Sequence, residues 1–576
     1  MLSVVTTPPP GRRSISFRQT TLHPPLEEWY ALDRQIPADD LARVILAGVN
    51  RLDVPALWDL YAGRGSPVYP PHRLLAAAIY EIRQGHTCPA QWHRNARKVD
   101  SLRWLLGGLT PSRSCGYDFR DRIGPLLDGF DQRLLRLLDT EGLVPANRGT
   151  LDGTMISANA SRHRMVNQET LRRRLAVLGA DDAPKPPAGD VPAAHPSADE
   201  AAERSHPVVE QTPRAEGAVA SSSPDARPGG IDVPAQGKEA VTGKQDKAGV
   251  AAREPAAPPV WVAKTQVGRH RQRQAYQRAQ TRMDPLQAEN ARRKKDLRRP
   301  AEKWVVSLSD PDAALGWDKQ KVFRPLYNVQ LLNDVDSPFI LGYQVVAQVN
   351  DAGLMGGMLA RQRERLGRQV RVLLADSGYT SGADLATADE AKGTLYGPWK
   401  ENDYSKQKST KGEKSKRIDK GEFTYLAEED AYRCPEGKRL EHVKDTSQRR
   451  ETSGKVALKR YETREGECDG CRRRKECTSK AKGSRTVSRS EHEELIEALK
   501  ARGKTEEGKA LYKLRRQAGE RLNADFKHHR KLRTFSGRGM PRVSGEVALM
   551  VFANNLIAGE SERAKKAKRT APPLMP

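Results

Sequence analysis

The chain has 576 residues, 37% hydrophobic and only 6% aromatic, so part of it lies outside any packed core. Lys and Arg number 99 against 73 acidic residues, a net +26, which makes a polyanion the expected large partner, with nucleic acid ahead of an anionic membrane. No apolar run reaches the roughly 18–20 residues that span a bilayer, Met1–Arg12 lacks a signal-peptide apolar region, and six cysteines are too few for a disulfide scaffold, so a reducing, cytoplasmic setting is expected.

Residues 1–25, rich in Pro, Thr and Arg, read as a loose arm. From 26 to 145 the reading is all-helical. DDLARVILAGVNRL, PPHRLLAAAIYEIRQG, CPAQWHRNARKVDSLRWLLGG and GPLLDGFDQRLLRLLDTEGL each repeat apolar positions at helical spacing. Thr87 is placed to cap a helix with Pro89 in its first turn, after Gly85 closes the one before; a helix–turn–helix and a plain bundle both fit. His86, Cys88 and His93 match no common zinc spacing and read as structural.

Residues 147–156, NRGTLDGTMI, read as a short strand carrying Asp152, although an Asp–Gly pair by itself is more often a turn than a site. An insert is expected over 166–303. Its Ala180–Pro258 stretch is dominated by Ala, Pro, Gly, Ser and charges, and cannot bury enough apolar surface to offset ordering. Its far side, GRHRQRQAYQRAQTRMDPLQAENARRKKDLRRP, is basic and partly helical, suited to DNA-backbone contact or simply to solvent.

Order returns at Trp304. VFRPLYNVQLL and FILGYQVVAQV read as strands joined by a turn, GLMGGMLARQRERLG as a helix, RVLLAD as a buried strand ending on Asp376, and GTLYGPW as a further strand after another helix. This is a mixed α/β layer pattern, and the carboxyl end of a strand is where such sheets usually carry their sites. Residues 401–490 form a second, basic insert. It holds Cys434 in YRCPEGKRL and Cys468, Cys471 and Cys477 in CDGCRRRKEC, four soft ligands whose spacing suits a structural zinc or, more plainly, a set of reduced thiols in a loop.

Residues 491–559 supply two helices. In TEEGKALYKLRRQAGERLNADFKHH, at about 100° per residue, Arg516, Glu520, Asn523 and Lys527 share one sector, opposite Leu511, Leu514, Ala518, Leu522 and Phe526. A carboxylate between cations suits a site that holds a metal and a phosphate together; a solvated helix with an incidental ion pair is the plainer alternative. The next helix, in SGRGMPRVSGEVALMVFANNLIAG, contains Glu546, a rival acid with apolar neighbours. Residues 560–576 read as a frayed basic tail.

Taken together, LDGTMISANASR, LLADSGY and the R-x3-E-x6-K run of Arg516, Glu520 and Lys527, followed by RG…V…ANNL, resemble the bacterial insertion-sequence transposases of the DDE type. The helical front half is similar to the N-terminal domain of that family, and YRCPEGK with CDGCRRRKEC resembles its cysteine-bearing insert. The resemblance covers most of 40–165 and 304–558. It implies a ribonuclease-H-like mixed sheet with flanking helices, built from 146–165 and 304–400, with Asp152, Asp376 and Glu520 as an acidic triad. Two Mg²⁺ or Mn²⁺ ions are the implied cofactors, with Arg516 and Lys527 on DNA phosphates. The implied partners are double-stranded DNA, as element ends and as target, and a second copy of the chain, in the cytoplasm beside the nucleoid. Relatives with the pattern Y-x2-R-x3-E-x6-K carry a Tyr three residues before the Arg; here Tyr512 stands one residue earlier than that relative to Arg516. The expected reaction cuts the element ends and joins a 3′-OH to target DNA. A nuclease that only hydrolyses, and a DNA-binding protein with a decayed core, are the alternatives.

Overall fold

The computed structural model describes residues 26–52, 55–61, 68–179, 259–399, 418–450, 454–478 and 483–570. The N-terminal arm, the Ala/Pro-rich stretch expected to be disordered and the last residues of the basic tail lie outside the described residues. The chain divides into two units, one of Met1–Ala176 with Gln274–Pro576, the other of Val177–Arg273.

The first unit begins with helices α1 (Leu26–Gln35), α2 (Leu41–Arg51), α3 (Pro71–Arg83), α4 (Pro89–Asn95), α5 (Asp100–Leu105), α6 (Arg113–Ile123) and α7 (Leu127–Thr140). Helix α2 starts where the Asp40 carboxylate accepts the N–H of Ala42 at 2.7 Å, and it buries Ala42, Ile45, Leu46 and Val49 on one stripe. Thr87 does not cap α4. Cys88 holds that position without a side-chain bond, Pro89 supplies the first turn, and the Thr87 carbonyl accepts the Ser536 hydroxyl instead. Helix α6 escapes periodicity because its apolar residues are sparse; its signal is the cap, Ser112 Oγ accepting from the Cys115 N–H. His86 pairs with Glu81, His93 with the Pro111 carbonyl and Cys88 with Tyr117, three separate partners.

Strand β1 (Arg148–Ser157) opens the main sheet; β2 (Met165–Asn167) and α8 (Gln168–Gly179) come next. Helix α9 (Gln266–Arg292) buries Tyr276, Ala279 and Met283, and within the second unit Gln272 bonds the Trp261 carbonyl and the Ala263 N–H. Then come β3 (Val305–Ser307), β4 (Ala314–Trp317), β5 (Phe323–Asp334), β6 (Ile340–Val346), α10 (Met355–Leu366), β7 (Val372–Leu374), α11 (Gly382–Glu390) and β8 (Thr394–Tyr396). Strand β5 runs antiparallel to both β6 and β1, while β7 and β8 run parallel to β1, with Asp152 opposite Leu331 and Thr150 opposite Leu374. The result is a mixed α/β sheet ordered β4-β5-β1-β7-β8, with β6 also on β5 and β2 paired with β3 apart from it.

The stretch read as a second, basic insert carries, among its described residues, a five-stranded sheet: β9 (Thr424–Leu426), β10 (Ala431–Arg433), β11 (Arg439–Arg450), β12 (Gly454–Glu462) and β13 (Val487–Ser490), with the one-turn α12 (Arg474–Cys477). Charged residues along both faces of β11 and β12 hide the alternation that normally betrays a strand. Beyond it lie α13 (Glu493–Lys504), α14 (Glu506–Arg515), a π turn (Arg516–Glu520), α15 (Arg521–Ala524), a second π turn (Asp525–His529) and α16 (Met540–Thr570).

Helix α16 is the spine of the core, packed on α2, α3, α7 and β6. Its Asn555 is fully buried and explains the ANNL motif. The side chain accepts from the Ile340 N–H, donates to the Ile340 carbonyl and donates to Asp131, each at 2.9 Å, so it satisfies the backbone of strand β6. Replacing Asn555 by Leu strands those groups and is expected to cost about 3 kcal/mol. Urea unfolding checks this, and an unchanged midpoint would refute the assignment. Glu546 is likewise structural: its buried carboxylate accepts the N–H groups of Ser536 and Gly537 and the Ser536 hydroxyl. The expected frayed tail is helical to Thr570, anchored by Arg563 and Lys566 on Glu141. Among the described residues no helix is long and apolar enough to cross a membrane.

Candidate active site

Asp152 and Asp376 come together. Asp152 sits in the middle of β1, and Asp376 stands two residues beyond the end of the neighbouring parallel β7. The Arg515 guanidinium lies between them, Nη2 at 3.3 Å from Asp152 Oδ1 and 3.6 Å from Asp376 Oδ2. The second oxygen of Asp152 accepts from Asn523 Nδ2 at 2.5 Å, and Asp376 Oδ1 accepts the Gly378 N–H at 2.7 Å. Burial pushes the Asp152 carboxyl above its ordinary range, with Asp376 and Asp351 adding to the rise and Arg515 opposing it.

Asp351, on the loop before α10, is an acid that sequence reasoning missed. Its Oδ1 accepts from Asn328 and Gln330 at 2.9 and 2.7 Å, and Gln330 also takes the Tyr379 hydroxyl. Burial and the charges of Asp351, Asp152 and Asp376 push that phenol upward. The room for this arrangement comes from Gly153: a Cβ there would collide with Asp351 Oδ1 and stand 2.5 Å from Gln330 Nε2. The Asp–Gly pair is therefore a close approach within a strand, and no turn. Gly153→Ala is expected to displace the neighbouring Asp152 and, for the DNA cleavage that the sequence resemblance implies, to lower the rate about 100-fold while the protein still folds. Cleavage at the wild-type rate would show that the approach is unimportant.

Glu520 is not brought to the two aspartates. It is 62% exposed and pairs at 3.2 Å with Arg516, itself 81% exposed. Asn523 turns to Asp152 and Lys527 is half-buried, its ammonium lowered to about 8 by burial and by Lys319, with Asp152 opposing. The four residues expected on one sector therefore do not share a face. The cause is the π turn at Arg516–Glu520, which takes up one residue more than α-helical winding allows. Gly519 faces the site in place of Glu520, with room for a Cβ 3.5 Å from Asp152 Oδ2 and from Thr150 Oγ1. Thr150 Oγ1 is buried with no hydrogen-bond partner among the described residues.

The displaced tyrosine now has an explanation. Tyr512 and Arg515 keep the Y-x2-R spacing and Glu520 and Lys527 keep E-x6-K, so the extra residue falls between Arg515 and Glu520, inside the π turn. Tyr512 bonds Arg515 and feels Asp376 and Asp152. The arginine beside the acids is thus Arg515, and the early position of Tyr512 was the signal for it. Elsewhere, Cys434, Cys468, Cys471 and Cys477 border one small cavity of the five-stranded sheet.

Two acids converging from neighbouring parallel strands of a mixed sheet, in a strongly basic chain, describe the class of metal-dependent enzymes that process nucleic acid. Residues 433–558 match the family model described as Transposase DDE domain. Over these residues the chain is similar to that domain, in line with the resemblance its motifs carry. The matched stretch runs from the cysteine-bearing sheet through Arg515, Glu520 and Lys527 to the ANNL motif, and Asp152 and Asp376 precede it. No curated protein and no solved structure matches the chain.

Proposed function

We propose that this chain is a DNA transposase that cuts the ends of an insertion sequence and joins the freed 3′-OH to target DNA. The observation that carries the reading is the meeting of Asp152 and Asp376 at one cation. A ribonuclease-H-like core is supported by three antiparallel strands, β6-β5-β1, continued by the parallel β7 and β8, with an acid on β1 and another after β7. Asp152, Asp376 and Glu520 are the carboxylates assigned to metal binding. Their hard oxygens suit Mg²⁺ or Mn²⁺, and the guanidinium between the aspartates marks a point that already calls for positive charge.

Two such ions, when bound, activate the attacking oxygen and stabilise the leaving one in an in-line displacement. The chain's own residues do the rest. Arg515 withdraws from between the aspartates, Asn523 orients Asp152, and Glu520 turns inward as the extra residue of the π turn moves along the helix. Arg516, Lys527 and the withdrawn Arg515 hold DNA phosphates; a phosphate beside Lys527 raises its ammonium back toward the ordinary lysine range. A dimer brings two element ends together.

The test is an assay of the purified protein with a duplex carrying the element's end, in Mg²⁺ and in EDTA. Metal-dependent cutting at the boundary with joined products supports the reading, and cutting without joining would make the chain a nuclease. One observation favours a second reading, a DNA-binding protein that no longer cuts: Glu520 lies outside the site. Binding without cutting in any metal would establish it.

A further inference from the structure

The four cysteines of the five-stranded sheet carry an inference separate from the DNA chemistry. Cys434 begins a tight turn in CPEGK, where Gly437 at φ +76° reverses the chain. The Gly437 N–H bonds the Cys434 carbonyl at 2.9 Å, and the Lys438 N–H points at Cys434 Sγ from 3.2 Å. A backbone donor therefore faces this sulfur from within its own turn. Across the cavity, CDGC folds around Gly466 and Gly470, both at positive φ, with Thr463 Oγ1 3.2 Å from Cys468 Sγ, and Cys477 closes α12. All four thiols are free, and they border one small cavity of about 30 Å³.

The energetic need is as plain as the geometry. The buried core of this sheet amounts to Ile418, Phe423, Tyr432, Leu440, Tyr461 and Val487, with Cys434 and Cys477 packed at its edge. A core this small rarely holds a lobe together without a staple. We propose that Cys434, Cys468, Cys471 and Cys477 bind one zinc ion that closes the five-stranded lobe. Four thiolates leave no open coordination position, so the ion is structural. Among the described residues no three ligating side chains already stand close enough to share an ion, so binding draws the glycine-bearing CDGC turn inward onto Cys434. The closed lobe also steadies the next helix, because Lys420 and Arg489 pair with Glu493 and Glu497 of α13, at 2.7 and 2.8 Å, ahead of the helix that carries Arg515 and Glu520.

The experiment uses the full chain, expressed with zinc in the medium and purified under reducing conditions without chelator. Elemental analysis is expected to find about one zinc ion per chain in the wild type and in the control Cys88→Ser, and at least about tenfold less in Cys471→Ser. Because Cys471→Ser could misfold, chelated wild-type protein is also titrated with Co²⁺, which is expected to produce the intense thiolate charge-transfer and tetrahedral ligand-field bands of a four-sulfur site. Hydrogen exchange then reads the staple: chelation is expected to strip protection from β10, β11 and β12 and to leave β1 and β5 unchanged. Wild-type protein purified without stoichiometric zinc and giving no thiolate bands with Co²⁺ would overturn the proposal, as would Cys471→Ser retaining wild-type zinc.

Discussion

Asp152→Asn and Asp376→Asn are each expected to lower cleavage of an element-end duplex by about a thousandfold or more, with DNA binding nearly unchanged. Each substitution removes an anionic oxygen at the point where Arg515 now sits, while the amide still fills the space and still meets Asn523 or the Gly378 N–H. The loss reports metal binding, so it is measured as single-turnover cleavage beside a gel-shift assay. Cleavage within tenfold of wild type in either variant would remove that residue from the site. Glu520→Gln supplies the sharper comparison. If Glu520 turns inward during the reaction, its variant fails as completely as the other two; if the exposed pair with Arg516 is its working position, cleavage is unaffected. Deleting Gln517 restores the R-x3-E spacing from Arg515, which is expected to remove the π turn and raise metal affinity.

Arg515→Leu is expected to destabilise the metal-free protein and to make it more responsive to Mg²⁺. The guanidinium holds two carboxylates that otherwise repel, and Asp152 is mostly buried at 17% exposure. Losing this cation from a partly exposed cluster costs about 1–3 kcal/mol. The pH dependence has a definite sign. A carboxyl whose folded pKa is raised contributes stability below its unfolded pKa and loses it as pH rises through the folded value, and Asp152 is raised already in the wild type. Without Arg515 the rise is larger, so the variant loses more stability than the wild type as pH rises above the ordinary carboxylate range. Mg²⁺ then restores the missing charge without having to displace an arginine, and a ligand that binds only the folded state stabilises it by mass action. Thermal unfolding at several pH values, with and without Mg²⁺, checks both arms. Equal Mg²⁺ stabilisation of variant and wild type would show that the arginine and the metal do not compete for one place.

The contrast between the legible and the hidden parts of the chain has a physical basis. Strands and helices of strong periodicity were readable one at a time, because burial of a face imposes its period locally: RVLLAD ends at the carboxyl edge of the sheet, and NRGTLDGTMI is the strand that pairs beside it. The convergence of Asp152 and Asp376 stems from those two strands alone. The sheet at β9–β13 was hidden because its faces are charged and its core is small, so no apolar alternation marks it. Asp351 had no motif around it; the absence of a side chain at Gly153, a residue nearly two hundred positions away, is its only distinguishing mark.

By itself, then, the sequence determined the element order, the two strand-borne acids, the four cysteines and the basic partner-seeking charge, since each depends on residues close together in the chain. Only the tertiary structure decided which arginine meets the acids and which way Glu520 points. Leu522 and Phe526 are buried in the core and set the rotation of the helix downstream, while Arg515 and Asp152 set it upstream. The chain holds one residue more between these two anchors than regular winding allows, and it is absorbed as a π turn that carries Glu520 out to solvent.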